Sequence, residues 1–262
     1  MIRKLSLGIC FSGLVAASCT SSSSPAATAT PAGASPPPST ATPSFGPALA
    51  GYHPEIDPAN FTTTVDNPFF PLAPGTSLTY EGVRDGAGQR DVFVVTGETK
   101  EVMGVTCVVV RDTATKIKDG RLIERTDDWF AQDKDGNVWY MGEDTKLYDK
   151  KGNVIDTEGS WQAGVDGALP GIVMPGQPQA PAAYRQEYYV GHAQDMAWIV
   201  DLEQKVRVPY GSMDGVLETL EWSPLETDVI EKKYYASGIG LVYSTSVAGE
   251  VENAKLVSVG KA

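Results

Sequence analysis

The sequence predicts a mainly β domain: a single curved antiparallel sheet, wound as a meander and half closed into a barrel, with few and short helices. Three observations predict it. From about residue 77 to residue 259 apolar residues recur with period two, interrupted by Gly, Asn, Asp and Pro, which is the pattern of strands joined by hairpins. No convincing long stretch carries the 3.6-residue periodicity of an amphipathic helix. One hairpin, finally, is apolar on both faces, so its sheet must cover a second face. A two-sheet β-sandwich is the alternative that the same pattern allows.

Segments 77–84, 91–98 and 105–117 read as the first strands. Asp119-Gly120 supplies the positive φ angles of a tight turn leading into 121–132, and Asp133-Lys134-Asp135-Gly136-Asn137 makes the next turn, into 138–142. Segments 146–148 and 154–157 pair through Lys151-Gly152-Asn153, and later strands follow at 184–190, 197–208, 216–222, 229–236, 241–247 and 255–259. Asp57-Pro58-Ala59 predicts a short helical turn with proline in its favoured first-turn place. Residues 193–197 predict another.

If 133–137 form the loop, Gln132 faces Val138, Phe130 faces Tyr140 and Trp129 faces Met141. Trp129, Ala131, Trp139 and Met141 then share one face, and Phe130, Val138 and Tyr140 the other. With helices scarce, a sheet that curves around itself is the economical cover for both. Between residues 161 and 183 the alternation stops, and Gly, Pro and Ala dominate around Ile172, Val173 and Met174. Such a stretch is either a crossover wrapping one end of the sheet or a lid.

Ahead of the domain, a basic start (Arg3, Lys4) runs through an apolar stretch at 5–17 into Ala16-Ala17-Ser18-Cys19. The stretch is too short for a permanent span, which takes about 20 residues, and residues 1–18 read as a cleaved signal peptide. The ending resembles the lipobox of bacterial lipoproteins, whose cysteine is lipidated and becomes the mature N-terminus; Ala16 stands where that family usually has Leu. Residues 20–48 are almost entirely Ser, Pro, Ala, Thr and Gly without one charged residue. Too few bulky apolar groups are present to offset the entropy of ordering, so 19–50 read as a lipidated cysteine followed by a disordered, proline-stiffened tether, and 51–262 as one β-rich domain.

The three cysteines are Cys10, Cys19 and Cys107. Once the signal is removed and Cys19 acylated, only the Cys107 thiol is left, so no intramolecular disulfide forms and the core must hold the fold. Removal of Arg3 and Lys4 leaves 33 acidic and 19 basic residues, a formal charge of −14. Such a chain is repelled by nucleic acid and by anionic headgroups. Nucleic acid is therefore not an expected partner, and the membrane is reached through the lipid.

Catalytic chemistry finds little support. There is no Gly-x-Ser-x-Gly elbow, and of the two histidines only His192 lies well inside the domain, in a His-x-x-Asp pair with Asp195. Asp133, Asp135 and Asn137 have the opening spacing of a calcium loop, but an EF-hand wants Gly sixth and Glu twelfth; Gly136 is fourth and Asp144 twelfth. Cys107, set among Val105, Val108, Val109 and Val110, reads as a buried small apolar residue. No catalytic residue, metal ligand or cofactor is assigned. Acidic residues are too plentiful for any pair to stand out.

Three phrases carry a resemblance: Asp127-Asp128-Trp129-Phe130-Ala131-Gln132-Asp133-Lys134-Asp135-Gly136-Asn137-Val138-Trp139-Tyr140, Val208-Pro209-Tyr210-Gly211-Ser212, and Lys233-Tyr234-Tyr235-Ala236-Ser237-Gly238-Ile239-Gly240-Leu241-Val242. They resemble a family of uncharacterised bacterial exported lipoproteins, from about residue 56 to 259, with Ser237 where those relatives have Pro. The resemblance implies export and brings no catalytic residue or ligand with it. A looser architectural similarity is to the lipid-carrying half-barrels of bacterial envelopes.

These readings lead to a membrane-anchored, extracytoplasmic lipoprotein on the surface or periplasmic side of a bacterial membrane. Its concavity is expected to bind an apolar or amphipathic ligand, such as a lipid, through Trp129, Trp139, Met141, Trp161, Met174 and Trp198. A non-catalytic envelope scaffold or assembly protein is the alternative, and an envelope hydrolase the third. Cys19→Ser is expected to abolish incorporation of labelled fatty acid and to move the protein from the membrane to the soluble fraction; unchanged labelling and retention would refute the assignment of Cys19.

Overall fold

A computed structural model describes residues 51–84, 86–249 and 251–262; the signal segment, Cys19 and the tether lie outside them. The described chain begins with a 3-10 turn at Pro58–Asn60, where the Asp57 carboxylate accepts from the Ala59 N–H. The strands that follow are β1 (Phe61–Thr62), β2 (Thr76–Arg84), β3 (Ala87–Val102), β4 (Val105–Lys116), β5 (Leu122–Asp133) and β6 (Val138–Tyr148). Next come β7 (Val154–Asp156), β8 (Trp161–Gln162), β9 (Leu169–Met174), β10 (Ala182–Arg185) and β11 (Glu187–Tyr188). The last five are β12 (Met196–Val208), β13 (Gly211–Ser223), β14 (Glu226–Ala236), β15 (Gly240–Ala248) and β16 (Asn253–Lys261).

The order around the sheet is β10-β12-β13-β14-β15-β16-β2-β3-β4-β5-β6-β9-β11, all antiparallel. The last strand of the chain, β16, thus pairs with β2. The two ends of this order, β10 and β11, are consecutive in sequence and separated only by Gln186. One extended segment therefore pairs with β12 through its first half and with β9 through its second, and the sheet curls until it is nearly closed into a barrel. At this seam the backbones meet closely: a Cβ on Gly171 would lie 2.3 Å from the Gln186 carbonyl carbon, so only glycine fits there. The curved sheet read from the sequence is the observed fold, and the sandwich is not.

The hairpin with two apolar faces accounts for much of the packing. Its loop is tied by Asp133, whose carboxylate accepts from the N–H groups of Asp135 and Asn137, the Asn137 amide and the Trp139 indole. Gln132 pairs with Val138, Ala131 with Trp139 and Phe130 with Tyr140, but Trp129 then faces Gly142, not Met141 as expected. A β-bulge at Met141 absorbs the extra residue. The inner face carries a ring ladder, Phe70 on Phe130 at 5.2 Å, Phe130 on Tyr140 at 5.0 Å and Tyr140 on Trp161 at 5.4 Å. On the other face Trp129 and Ala131, together with Cys107 and Val109 of β4, join one core with Ala163 and Ala168.

Other expectations need correction. Residues 161–183 are not structureless: β8 pairs with β6, and β9 adds to the sheet beside it. Their Gly and Pro content hid short strands whose pairing partners are distant in sequence. Segments 138–142 and 146–148 form one strand, 184–190 divides at Gln186, and 193–197 are not helical, since Ala193 bridges Tyr189 and Met196 opens β12. In the Asp119-Gly120 turn only Gly120 has a positive φ, 69°, while the Asp119 carboxylate accepts from the Arg121 N–H.

One end of the barrel is closed from within. Segment 65–72, between β1 and β2, buries Val65, Phe70 and Leu72. It is pinned by Asn67, whose amide donates to the carbonyls of Gly136 and Pro175, and by Pro68, whose carbonyl accepts from Gly238. The Gln132 carboxamide completes the tie by accepting from the N–H groups of Asp66 and Asn67.

The bulge also makes a sharp test. Gly142 has φ 135°, and a Cβ there would sit 2.4 Å from the Trp161 carbonyl oxygen. Gly142→Ala is expected to destabilise the domain by at least about 1–3 kcal/mol from backbone strain alone, with the clash against β8 adding to it. An unchanged urea midpoint would refute this reading of the crossing.

Candidate functional site

Strands that close into a barrel turn every second side chain inward, and here the inward positions fall into two layers. Toward the plugged end they are apolar and aromatic. Toward the end formed by the loops around residues 86, 119, 151, 224 and 249 they are polar and mostly acidic: Gln89, Asp91, Asp112, Glu124, Thr126, Asp128, Glu143, Thr145, Glu221, Glu231, Lys233 and Ser244 are all buried. Cross-strand register sets them in rows: Asp112 pairs with Thr126, Asp128 with Glu143, Thr126 with Thr145, Glu221 with Glu231 and Lys233 with Ser244.

On the β3–β6 side the row is an acid array. The Tyr140 hydroxyl donates to Asp128 Oδ1 at 2.6 Å, while Asp128 Oδ2 has no hydrogen-bond partner. Thr145 donates to Glu143 at 2.7 Å and lies 3.0 Å from Thr126. Burial, then the facing Glu143 carboxylate, pushes Asp128 well above the ordinary carboxylate range against the pull of the Tyr140 hydrogen bond. Asp91 is pushed the same way by burial and by Asp112, although the Gln89 amide donates to it at 2.7 Å. Carboxylates crowded in this way cannot all ionise, so the array retains protons where isolated acids would have lost them.

On the β13–β14 side one cation is held among acids. Lys233 Nζ lies 2.7 Å from Glu221 and 3.6 Å from Glu231. Burial works against its charge, but Glu221, Glu231 and Asp195 outweigh it and raise the lysine above its ordinary value. Thr219 and Tyr235 donate to the same Glu221 oxygen at 2.8 and 3.2 Å. Ser244, across from Lys233, would complete a serine–lysine nucleophile only if the lysine were neutral. Its carboxylate partners keep it charged, so this pair is built for packing and charge balance.

The residues singled out from the sequence are dispersed. Trp129, Met141, Trp161 and Met174 are buried in the main core. Trp129 lies on the outward side beneath Lys100, whose Nζ is 5.0 Å from the ring, and Trp161 lies on the inward side against Tyr140. Trp139 is half-buried against Phe61 and lines a surface hollow of about 140 Å³ with Glu55, Asp57 and Asp135. Trp198 is half-buried on β12, opposite Leu220 and Ala183. The barrel does not gather the six into one concave surface. His192 stacks on Tyr189 at 4.3 Å, away from the buried layer. Cys107 is fully buried, and burial pushes its thiol up to about 12. Among the described residues no group of three or more His, Cys, Asp or Glu comes together as a metal site.

The acid layer escaped the sequence reading, yet it had a signal. Asp91, Asp112, Asp128, Glu221 and Glu231 occupy the positions within their strands where alternation demands inward residues.

No protein-family model matches the chain, and no curated protein does. Among solved structures it is similar to a protein of Bacteroides fragilis described as exported, with a YmcC-like fold, at 18% identity and a TM-score of 0.40, covering 74% of this chain and 99% of that one. It is similar also to a protein of Parabacteroides distasonis described as a lipoprotein, at 13% identity, the same TM-score of 0.40 and the same coverage of 74% and 99%.

The raised acids set the sign of a pH dependence. An acid whose folded pKa exceeds its unfolded value binds more protons when folded, so stability falls as pH rises from the unfolded pKa through the folded one. Asp128, Asp91 and Glu231 all act in this sense. Asp149 and Asp201, lowered chiefly by hydrogen bonds from Asn153 and Glu203, act oppositely, and only below the ordinary carboxylate range. The thermal midpoint is therefore expected to be higher near pH 5 than near pH 8. Asp128→Asn, which still accepts from Tyr140, should exceed the wild type at pH 8 and lose that advantage toward pH 5. A flat or reversed profile would refute the protonated array.

Proposed function

We propose that the chain is an extracytoplasmic lipoprotein, lipidated at Cys19 and held to a bacterial membrane by its lipid, whose barrel is a non-catalytic scaffold for envelope assembly and acts through its outer surface. The observation that carries this reading is how little interior space the described residues leave. A cavity lined by Phe70, Leu78, Tyr80, Phe93, Phe130 and Tyr235 has a volume of about 30 Å³. A second, lined by Arg84, Gln89, Asp91, Glu231, Lys233 and Ser244, has about the same. Each is room for a water or two, whereas pockets for small organic ligands run to roughly 300–1,000 Å³. Phe70 and the ring ladder occupy the concavity that a lipid would need.

The outer surface offers aliphatic side chains for contact. Val83, Ile117, Val154, Ile155, Ile230, Val247 and Val251 are exposed near the hairpin tips at the acidic end of the barrel. A hydrolase is disfavoured because, among the described residues, the one buried lysine is committed to its carboxylates and no base stands beside a nucleophilic serine.

A fluorescent fatty-acyl probe separates the scaffold from the carrier. The wild type is expected to take up none, and Trp161→Ala to cost about 3–5 kcal/mol of stability as a packed core residue does. Saturable uptake, lost in a folded variant at Trp129, Trp139, Met141, Trp161, Met174 or Trp198, would overturn the scaffold in favour of a lipid carrier.

A further inference from the structure

The seam that closes the barrel holds a buried cation that forms neither an ion pair nor a hydrogen bond among the described residues. Arg185, the last residue of β10, is 2% exposed. Its Nε, Nη1 and Nη2 have no hydrogen-bond partner in the protein, and it forms no ion pair among the described residues. What it does have is aromatic cover. The guanidinium carbon lies 4.5 Å from the Tyr188 ring and 5.5 Å from the Tyr52 ring, and the two rings meet edge to face at 5.7 Å. Tyr52 is fixed by its hydroxyl, which donates to the Pro170 carbonyl at 2.9 Å; burial raises this phenol to about 12 although Arg185 pulls it down.

A guanidinium always carries its charge, so burial cannot discharge it as it would a lysine. Buried charges in folded proteins are paired or hydrogen-bonded, because taking one out of water uncompensated is costly. Rings meet part of that need through the cation's π face but leave the five N–H donors unsatisfied. No described carboxylate hydrogen-bonds to those donors. Residues 1–54, the segment that leads up to and just past Tyr52, contain no Asp or Glu. Ala262, the C-terminal residue, is tied by its N–H to Gly75 beside β2, on another part of the barrel.

We propose that Arg185 is the recognition group of a carboxylate-binding site at the barrel seam, covered by Tyr52. With the rings over its face, the guanidinium presents its planar edge, whose parallel N–H pair matches the two oxygens of a carboxylate. Glu187 and Asp195 are buried in the same seam and disfavour a doubly charged ligand, so a carboxylate monoanion is preferred to phosphate. The Gln186 amide, fully buried with neither its oxygen nor its nitrogen bonded, adds a further unsatisfied group to the seam. Tyr52, near the start of the described residues, is the cover, which sets the site apart from the cavities of the barrel interior.

The test uses the mature full-length protein at constant pH, titrated with sodium acetate, with sodium phosphate, and with sodium chloride at matched ionic strength. Acetate is expected to raise the thermal midpoint saturably above the chloride control. Arg185→Met should abolish the response, and Arg185→Lys, which keeps the charge without the fork, should raise the half-saturating concentration at least tenfold. In the wild type, acetate should also shift the guanidinium 15N and 1H resonances of Arg185 saturably, so the assignment stands even where neither variant folds. Identical midpoints in acetate and chloride, an acetate response that survives in Arg185→Met, or Arg185 resonances that acetate leaves unchanged would overturn the site. A response to phosphate alone would overturn its assignment to a carboxylate.

Discussion

Closure of the sheet at Gln186 is the constraint from which the interior follows. Once β10 and β11 hand the chain from β12 to β9, the strands have an inside and an outside, and each side chain is committed to one of them by its parity. An open sheet could leave its second face wet. A closed one must fill it, and here the filling is done by aromatic rings, by the 65–72 segment and by a layer of acids that water would otherwise solvate. The close approaches at Gly171 and Gly142 are the local cost of drawing the backbones together.

The acid layer is the unusual consequence. Burying carboxylates without enough cations is unfavourable unless some of them stay neutral, and the arrangement here does both: Lys233 offsets part of the charge on one wall, and Asp91 and Asp128 are driven toward their protonated forms on the other. Hydroxyls of Tyr140, Thr126 and Thr145 knit that wall together. The result is an interior that is polar without being open, which suits a rigid module more than a carrier. Arg185 breaks this pattern, since it is a buried cation whose N–H groups no described carboxylate accepts from.

Much of the fold was legible in local pattern. Period-two alternation and turn residues located the long hairpins, because those elements are specified by contacts close in sequence, and the Asp133–Asn137 loop followed from the capacity of one carboxylate to tie several backbone N–H groups. The stretch at 161–183 was not legible. Its strands β8 and β9 are short, rich in glycine and proline, and stabilised by β6 and β11, so nothing local announces them. The bulge at Met141 was likewise invisible, because it shows only in the β5–β6 register, beside the point where β8 pairs with Gly142. Of the six aromatic and methionine residues expected to line one surface, the alternation correctly said that two faces were apolar. It could not say that one face would be covered from outside by the 163–168 turn and the other filled from within.

The sequence by itself determined a β meander, curved because one hairpin is apolar on both sides, and an acidic composition from which any disulfide between domain cysteines is absent; these are properties of pattern and count. Only the tertiary structure decided which acids share a wall, that Lys233 lies between two of them, and that Arg185 is buried under rings with its N–H groups unbonded. The physical reason is that charge is read from sequence as a sum, whereas its chemistry depends on dielectric and on distances of a few ångströms between strands far apart in the chain, and those are set only when the barrel closes.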